Sequence, residues 1–180
     1  MQIACSVSLH LLSVMSFVAC ARERAPAPPA KATTVSAHTE QGRTVLTWKN
    51  ANGVSRFLAL SRDSTVAPAT EPSGATITGE IADSVLVIVD SYPSTPGGMS
   101  FCQSGTERFL RVLAIATAQP VETYRVKLAS CLGNIELGAD STSWDAGKSQ
   151  LRIYWLLGPS GAHGPESKTL RVSGDGRVQE

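Results

Sequence analysis

The sequence predicts a mainly β protein, an antiparallel sandwich or barrel of about eight to ten short strands. Three observations carry this expectation. Fifteen glycines and ten prolines among 180 residues punctuate the chain too often for long helices. Several segments alternate apolar and polar side chains with a period of two. Asn52-Gly53 and Asp175-Gly176, dipeptides that tolerate positive φ, stand between such segments. No helical period runs far enough for a bundle, and no internal repeat is found.

The elements follow in order from Thr44. Val45, Leu46 and Trp48 precede Asn52-Gly53, and Phe57, Leu58 and Leu60 follow it, so residues 44–60 read as a hairpin. Ser61 to Gly74 is polar, holds two prolines and reads as a long loop. GATITGEIADSVLVIVDSY supplies two strands, and its SVLVIVD is apolar on both faces from Val85 to Val89, as a central strand requires. YPSTPGGMSFCQSGTE is a second long loop. In FLRVLAIAT, Leu110, Val112 and Ala114 alternate, yet ERFLRVLAIA over residues 107–116 also fits a short helix; the neighbour across Ala118-Gln119-Pro120 favours a hairpin. That neighbour, TYRVKLAS, sets Tyr124, Val126 and Leu128 against Arg125 and Lys127. NIEL is a short strand, ADSTSWDAGKS a connection, and LRIYWLL a strand with Leu151, Ile153 and Trp155 on one face. TLRVSGDGRV closes the chain as a hairpin or edge strand turning at Asp175-Gly176.

Hydrophobic residues make up 42% of the chain and charged residues 17%, with 16 basic against 15 acidic side chains. A balance so near zero supplies no electrostatic footprint for nucleic acid.

From Met1 to Ala19 there is no Asp, Glu, Lys or Arg, and Leu11, Leu12, Val14, Met15, Phe17, Val18 and Ala19 form a compact apolar block. Residues 1–19 therefore read as a secretory signal peptide, too interrupted by His10, Ser13 and Ser16 for a permanent span. Phe17-Val18-Ala19-Cys20 resembles the lipobox of bacterial lipoproteins. That resemblance implies cleavage before Cys20, a diacylglyceryl thioether and fatty acylation (palmitate) there, and, with Ala21 rather than aspartate next, an outer-membrane address facing the periplasm. Cleavage after Ala21, within Ala19-Cys20-Ala21, is the alternative and would leave a secreted or periplasmic protein. Residues 20–35 read as a Pro/Ala-rich tether that cannot join a core, and 36–180 as one β-rich domain.

With Cys5 in the leader and Cys20 at the lipid site, Cys102 and Cys131 remain, and an even pair in an exported chain predicts a disulfide. No CxxC lowers a thiol pKa here, and no histidine lies near either cysteine in sequence.

The chain contains no HExxH, DxDxDG, GxxxxGK[ST] or GxGxxG, so no metal or cofactor is expected. Gly158-Pro159-Ser160-Gly161 misses the G-x-S-x-G spacing of a nucleophile elbow. Asp140 and Asp145 bracket STSW, but acids at such turns are ordinarily caps and solvated faces. The chain is therefore read as non-catalytic. Its expected role is an envelope binding module that recognises a protein or glycan through two long loops, Asp90–Glu107 and Leu157–Thr169. Tyr92, Met99, Phe101, Glu107 and His163 are the candidate contact residues. A periplasmic inhibitor or immunity protein against a cell-wall hydrolase, and a structural envelope accessory, are the alternatives.

Overall fold

The computed structural model describes residues 34–180 except 50–52, 65, 68–69, 95–101, 103–104, 118 and 162–163. The leader, Cys20, most of the tether, Asn52, Met99, Phe101 and His163 lie outside the described residues. Among the described residues there are eleven strands and no helix. They are β1 (Val35–Glu40), β2 (Arg43–Lys49), β3 (Ser55–Leu60), β4 (Gly74–Ile81), β5 (Val85–Pro93), β6 (Thr106–Ala114), β7 (Val121–Ser130), β8 (Glu136–Asp145), β9 (Gln150–Leu157), β10 (Glu166–Val172) and β11 (Val178–Gln179).

Consecutive strands pair antiparallel into three sheets, ordered β1-β2-β3, β4-β5-β6-β7 and β11-β10-β9-β8. The architecture is a sandwich of sheets rather than a closed barrel. The middle sheet is covered on both sides, which explains the continuous apolar run of β5. Val85, Val87 and Val89 join Leu110, Val112 and Leu128 against Leu151, Ile153, Trp155, Leu170 and Val172 of the C-terminal sheet. Leu86, Ile88 and Leu113 point the other way, onto Leu46, Trp48 and Leu60 of the N-terminal sheet. A period of two thus sends alternate β5 residues into two different cores.

Several readings change. The segment 107–116, ambiguous between strand and helix, lies mostly in β6. NIEL is only the start of a longer strand, because β8 continues through Ser143 and Trp144 to Asp145. Its register with β9 breaks between Leu137 and Thr142, and that irregularity hides the strand period in ADSTSWD. Trp144 then packs flat on the middle sheet: a Cβ at Gly79 would lie 2.4 Å from its ring, so only glycine fits at the β4 bulge. The two long loops also shrink, since β5 extends to Pro93 and β10 begins at Glu166.

β1 was not expected. VSAHTE carries only Val35 and Ala37 as inward apolar groups, too weak an alternation to read as a strand. Its hairpin with β2 turns on Gln41 (φ 48°) and Gly42 (φ 75°), the two positive-φ positions that match the right-handed strand twist. The first strand thus begins at Val35, at the end of the stretch read as tether.

Candidate functional site: the outer face of the N-terminal sheet

Two of the expected contact residues are interior. Tyr92 is on the β5 face that meets the N-terminal sheet and is 1% exposed. Its hydroxyl donates to Asp90 Oδ2 at 2.6 Å and lies 3.0 Å from Thr44 Oγ1. Burial, with Asp90 beside it, holds the phenol well above its ordinary pKa. Glu107 is fully buried and accepts from Ser94 Oγ (2.7 Å), Ser130 Oγ (2.5 Å) and the Leu132 amide (3.3 Å). Neither side chain can meet a partner, because each is spent on internal hydrogen bonds that its burial demands.

Around Tyr92 lies a charged network invisible to motif reading. Arg111, fully buried, donates from Nε to Asp90 Oδ1 at 2.8 Å and from Nη2 to Asp90 Oδ2 at 2.9 Å. Its Nη1 reaches the Ser61 carbonyl at 2.6 Å and Glu122 Oε2 at 3.0 Å. Burial opposes the guanidinium charge, but the bonds and charge of Asp90 and the charge of Glu122 outweigh it and hold the group protonated. Arg111 thereby fastens the loop after β3 to the middle sheet. Arg62, from the same loop, donates to Thr44 Oγ1, Thr39 Oγ1 and the carbonyls of Ala67 and Thr70. A cavity of about 690 Å3 opens beside this loop, between Arg43, Ser61, Arg62 and Asp63. Asp63 pairs with Lys127 at 3.2 Å, so one of its charges is already answered.

Cys102 and Cys131 are joined in a disulfide, Cα–Cα 5.7 Å, that ties the loop before β6 to the β7–β8 turn. Glu107 holds that turn from within through Ser130 and Leu132. Among the described residues no group of three His, Cys, Asp or Glu side chains could hold a metal ion.

The accessible feature is elsewhere. On the outer face of the N-terminal sheet, cross-strand rows run Ser36–Thr47–Phe57 and His38–Val45–Ala59. Phe57 is 75% exposed and Val54, just before β3, 57% exposed. With Val45, Thr47, Gln119 and Pro120 they line a groove of about 910 Å3, with His38 and Glu40 at its rim 3.9 Å apart. Exposed Tyr154 on the opposite side of the molecule has a structural explanation: its ring covers Gly138, where a Cβ would lie 2.5 Å away. Phe57 has none. Its signal in the sequence was an aromatic at a polar-phase position of SRFLAL, one residue out of step with Leu58 and Leu60.

Comparison with protein-family models, with curated proteins and with solved structures found no match.

Proposed function

We propose that this protein is an exported, lipid-anchored, non-catalytic recognition module of the cell envelope that binds a protein or glycan partner through the outer face of its N-terminal sheet. The observation that carries the reading is Phe57, an aromatic side chain left largely in water beside a groove with an apolar floor. Rigid aromatics give up little conformational freedom when covered, which makes them effective anchors. This face is preferred on its exposed aromatic; of the loop residues expected as contacts, Tyr92 and Glu107 are occupied inside the fold, and Met99, Phe101 and His163 lie outside the described residues. The buried acids Asp90 and Glu107 are likewise engaged by internal donors, which favours a structural role for them over general acid or base work.

The address rests on the lipobox-like Phe17-Val18-Ala19-Cys20. Residues 21–34 then separate Cys20 from β1, and extended at about 3.1 Å per residue they reach roughly 40 Å. Such a tether holds a domain clear of a bilayer while leaving a sheet face free. A lipid anchor at the outer membrane facing the periplasm is the proposed location.

Two measurements test this. Mass spectrometry of the membrane-extracted protein is expected to find a diacylglyceryl group on Cys20, and an unmodified chain in the medium rejects the anchor. Paired baits, the full chain and its Phe57→Ser variant, are applied to detergent-solubilised envelope. A partner retained by the first and lost by the second, and rebound after purification, supports the recognition face; identical profiles on both reject it.

A further inference from the structure

The free edge of β3 specifies the kind of partner, an inference that rests on the outer face being the recognition surface. Main-chain groups of an antiparallel strand alternate in direction. The Lys49 amide donates to the Thr34 carbonyl, so Lys49, Thr47 and Val45 turn toward β1. Trp48, Leu46 and Thr44 therefore turn toward β3, where they meet Arg56, Leu58 and Leu60. The intervening Ser55, Phe57 and Ala59 direct their N–H and C=O groups away from β2, to the free side. Ser61, next in the same phase, confirms the direction: its amide donates to Glu122 Oε2 and its carbonyl accepts from Arg111 and Arg125. Side chains thus close the edge at Ser61, whereas no hydrogen bond from the described residues closes it at 55, 57 or 59.

Sheet edges are ordinarily guarded by bulges, short strands, charges or covering side chains. The other edges here follow that rule. On β1 the Thr39 amide is taken by Glu71 at 2.9 Å. β4 bulges at Ile77/Gly79 and β7 twice against β6, with its Leu128 carbonyl taken by Trp155 Nε1. β8 loses register with β9 before Thr142, and β11 has two residues. β3 has six residues, unbroken register, no proline and no lysine. Its one charge, Arg56, turns away to the carbonyls of Ile115 and Thr117.

We infer that β3 accepts an extended segment of a partner protein as an added strand, pairing with Ser55, Phe57 and Ala59 while its alternate side chains settle beside Phe57 and Val54 in the groove. The chemistry selects polypeptide. Only an extended main chain repeats an N–H and C=O pair every second residue at the spacing of these three positions. Residues of the added strand on the groove side would stand about 4.5–5.5 Å from Phe57, so apolar or β-branched side chains at every second position fit best.

The test uses the full chain and a heptapeptide library with Val, Ile, Phe or Thr at odd positions and Ser, Gln or Lys at even ones. An enriched peptide is expected to slow amide hydrogen exchange at Ser55, Phe57 and Ala59, which exchange fast in the free chain. Ala59→Pro removes an edge-facing N–H without touching the β2 ladder. It is expected to weaken binding at least about tenfold, the loss of one main-chain pair, with Leu58 and Leu60 amides still protected. Peptides N-methylated in one phase lose affinity and those in the other keep it, which reads the same point on the unaltered protein should Ala59→Pro misfold. An absence of enriched peptides, or protection of the three amides in the free chain, overturns the inference. So does a concentration-dependent dimer that protects them, which assigns the edge to a second copy. Binding of a peptide or of an arrayed glycan that Phe57→Ser abolishes but Ala59→Pro and N-methylation leave intact also overturns it, yet retains the recognition face proposed above.

Discussion

Arg111 and Asp90 face each other as a two-point ion pair inside the protein, at 2.8 and 2.9 Å, with neither side chain exposed. Desolvating two charges is costly, and that cost is offset by further bonds, from Tyr92 to Asp90 and from Arg111 to Glu122 and the Ser61 carbonyl. Arg111→Met, which strands the Asp90 carboxylate, is expected to cost about 3–5 kcal/mol in urea denaturation. The double change Arg111→Met with Asp90→Leu is expected to cost less than the sum of the two single changes by more than about 1 kcal/mol. Simple additivity would mean the two do not act as a unit.

Tyr92 makes stability fall on the alkaline side. Its phenol is held above the ordinary value near 10 in the folded state, first by burial and then by Asp90. The folded protein therefore keeps a proton that the unfolded chain gives up. The associated stability is complete below about pH 10 and declines as pH rises beyond it. Tyr92→Phe, although less stable at neutral pH through loss of the Asp90 and Thr44 bonds, is expected to show a shallower decline between pH 10 and 12. Parallel curves for the two proteins would contradict this.

Gly105 and the disulfide are coupled by contact. A Cβ at Gly105 would lie 2.5 Å from Cys131 Cβ and 2.7 Å from its Sγ. Gly105→Ala is expected to cost about 1–3 kcal/mol through overpacking, and only partly less when Cys102 and Cys131 are both alanine, which removes the Sγ contact but keeps the nearer Cβ. Removing the cross-link alone, whose ends are 29 positions apart in sequence, is expected to cost about 3–4 kcal/mol. Thermal unfolding of the four proteins checks both statements.

Two buried tryptophans should respond differently to the same change. Trp155 Nε1 donates to the Leu128 carbonyl at 2.9 Å, whereas Trp48 Nε1 has no acceptor among the described residues. Both rings are almost wholly enclosed. Substitution by phenylalanine removes similar packing at each site, but only Trp155→Phe leaves a carbonyl unpaired. Trp155→Phe is expected to be more destabilising by about 1–2 kcal/mol, and equal losses would show that Trp48 is satisfied in solution.

Much of the fold was legible in local pattern. The alternation in TYRVKLAS and LRIYWLL became β7 and β9, and the two-faced apolar run at Val85–Val89 became the strand buried between two cores. β8 was hidden where its register with β9 breaks, and β1 where its inward residues are small. Of the expected contact residues, Tyr92 and Glu107 were aromatic or charged groups beside a loop, a description that fits interior hydrogen-bonding residues equally well. Phe57 was read only as part of a hairpin, because a strand's period tells which residues share a face but not which face stays uncovered.

The sequence by itself determined the β class, the closing turn at Asp175-Gly176 and the pairing potential of two cysteines, since each depends on neighbours a few residues apart or on cysteine count. Only the tertiary structure decided that three sheets stack, that Arg111 reaches Asp90 across 21 positions, and that β3 ends the N-terminal sheet with Phe57 uncovered. Burial and edge exposure belong to the packing of whole sheets, and no local period along the chain encodes which surface another sheet will cover.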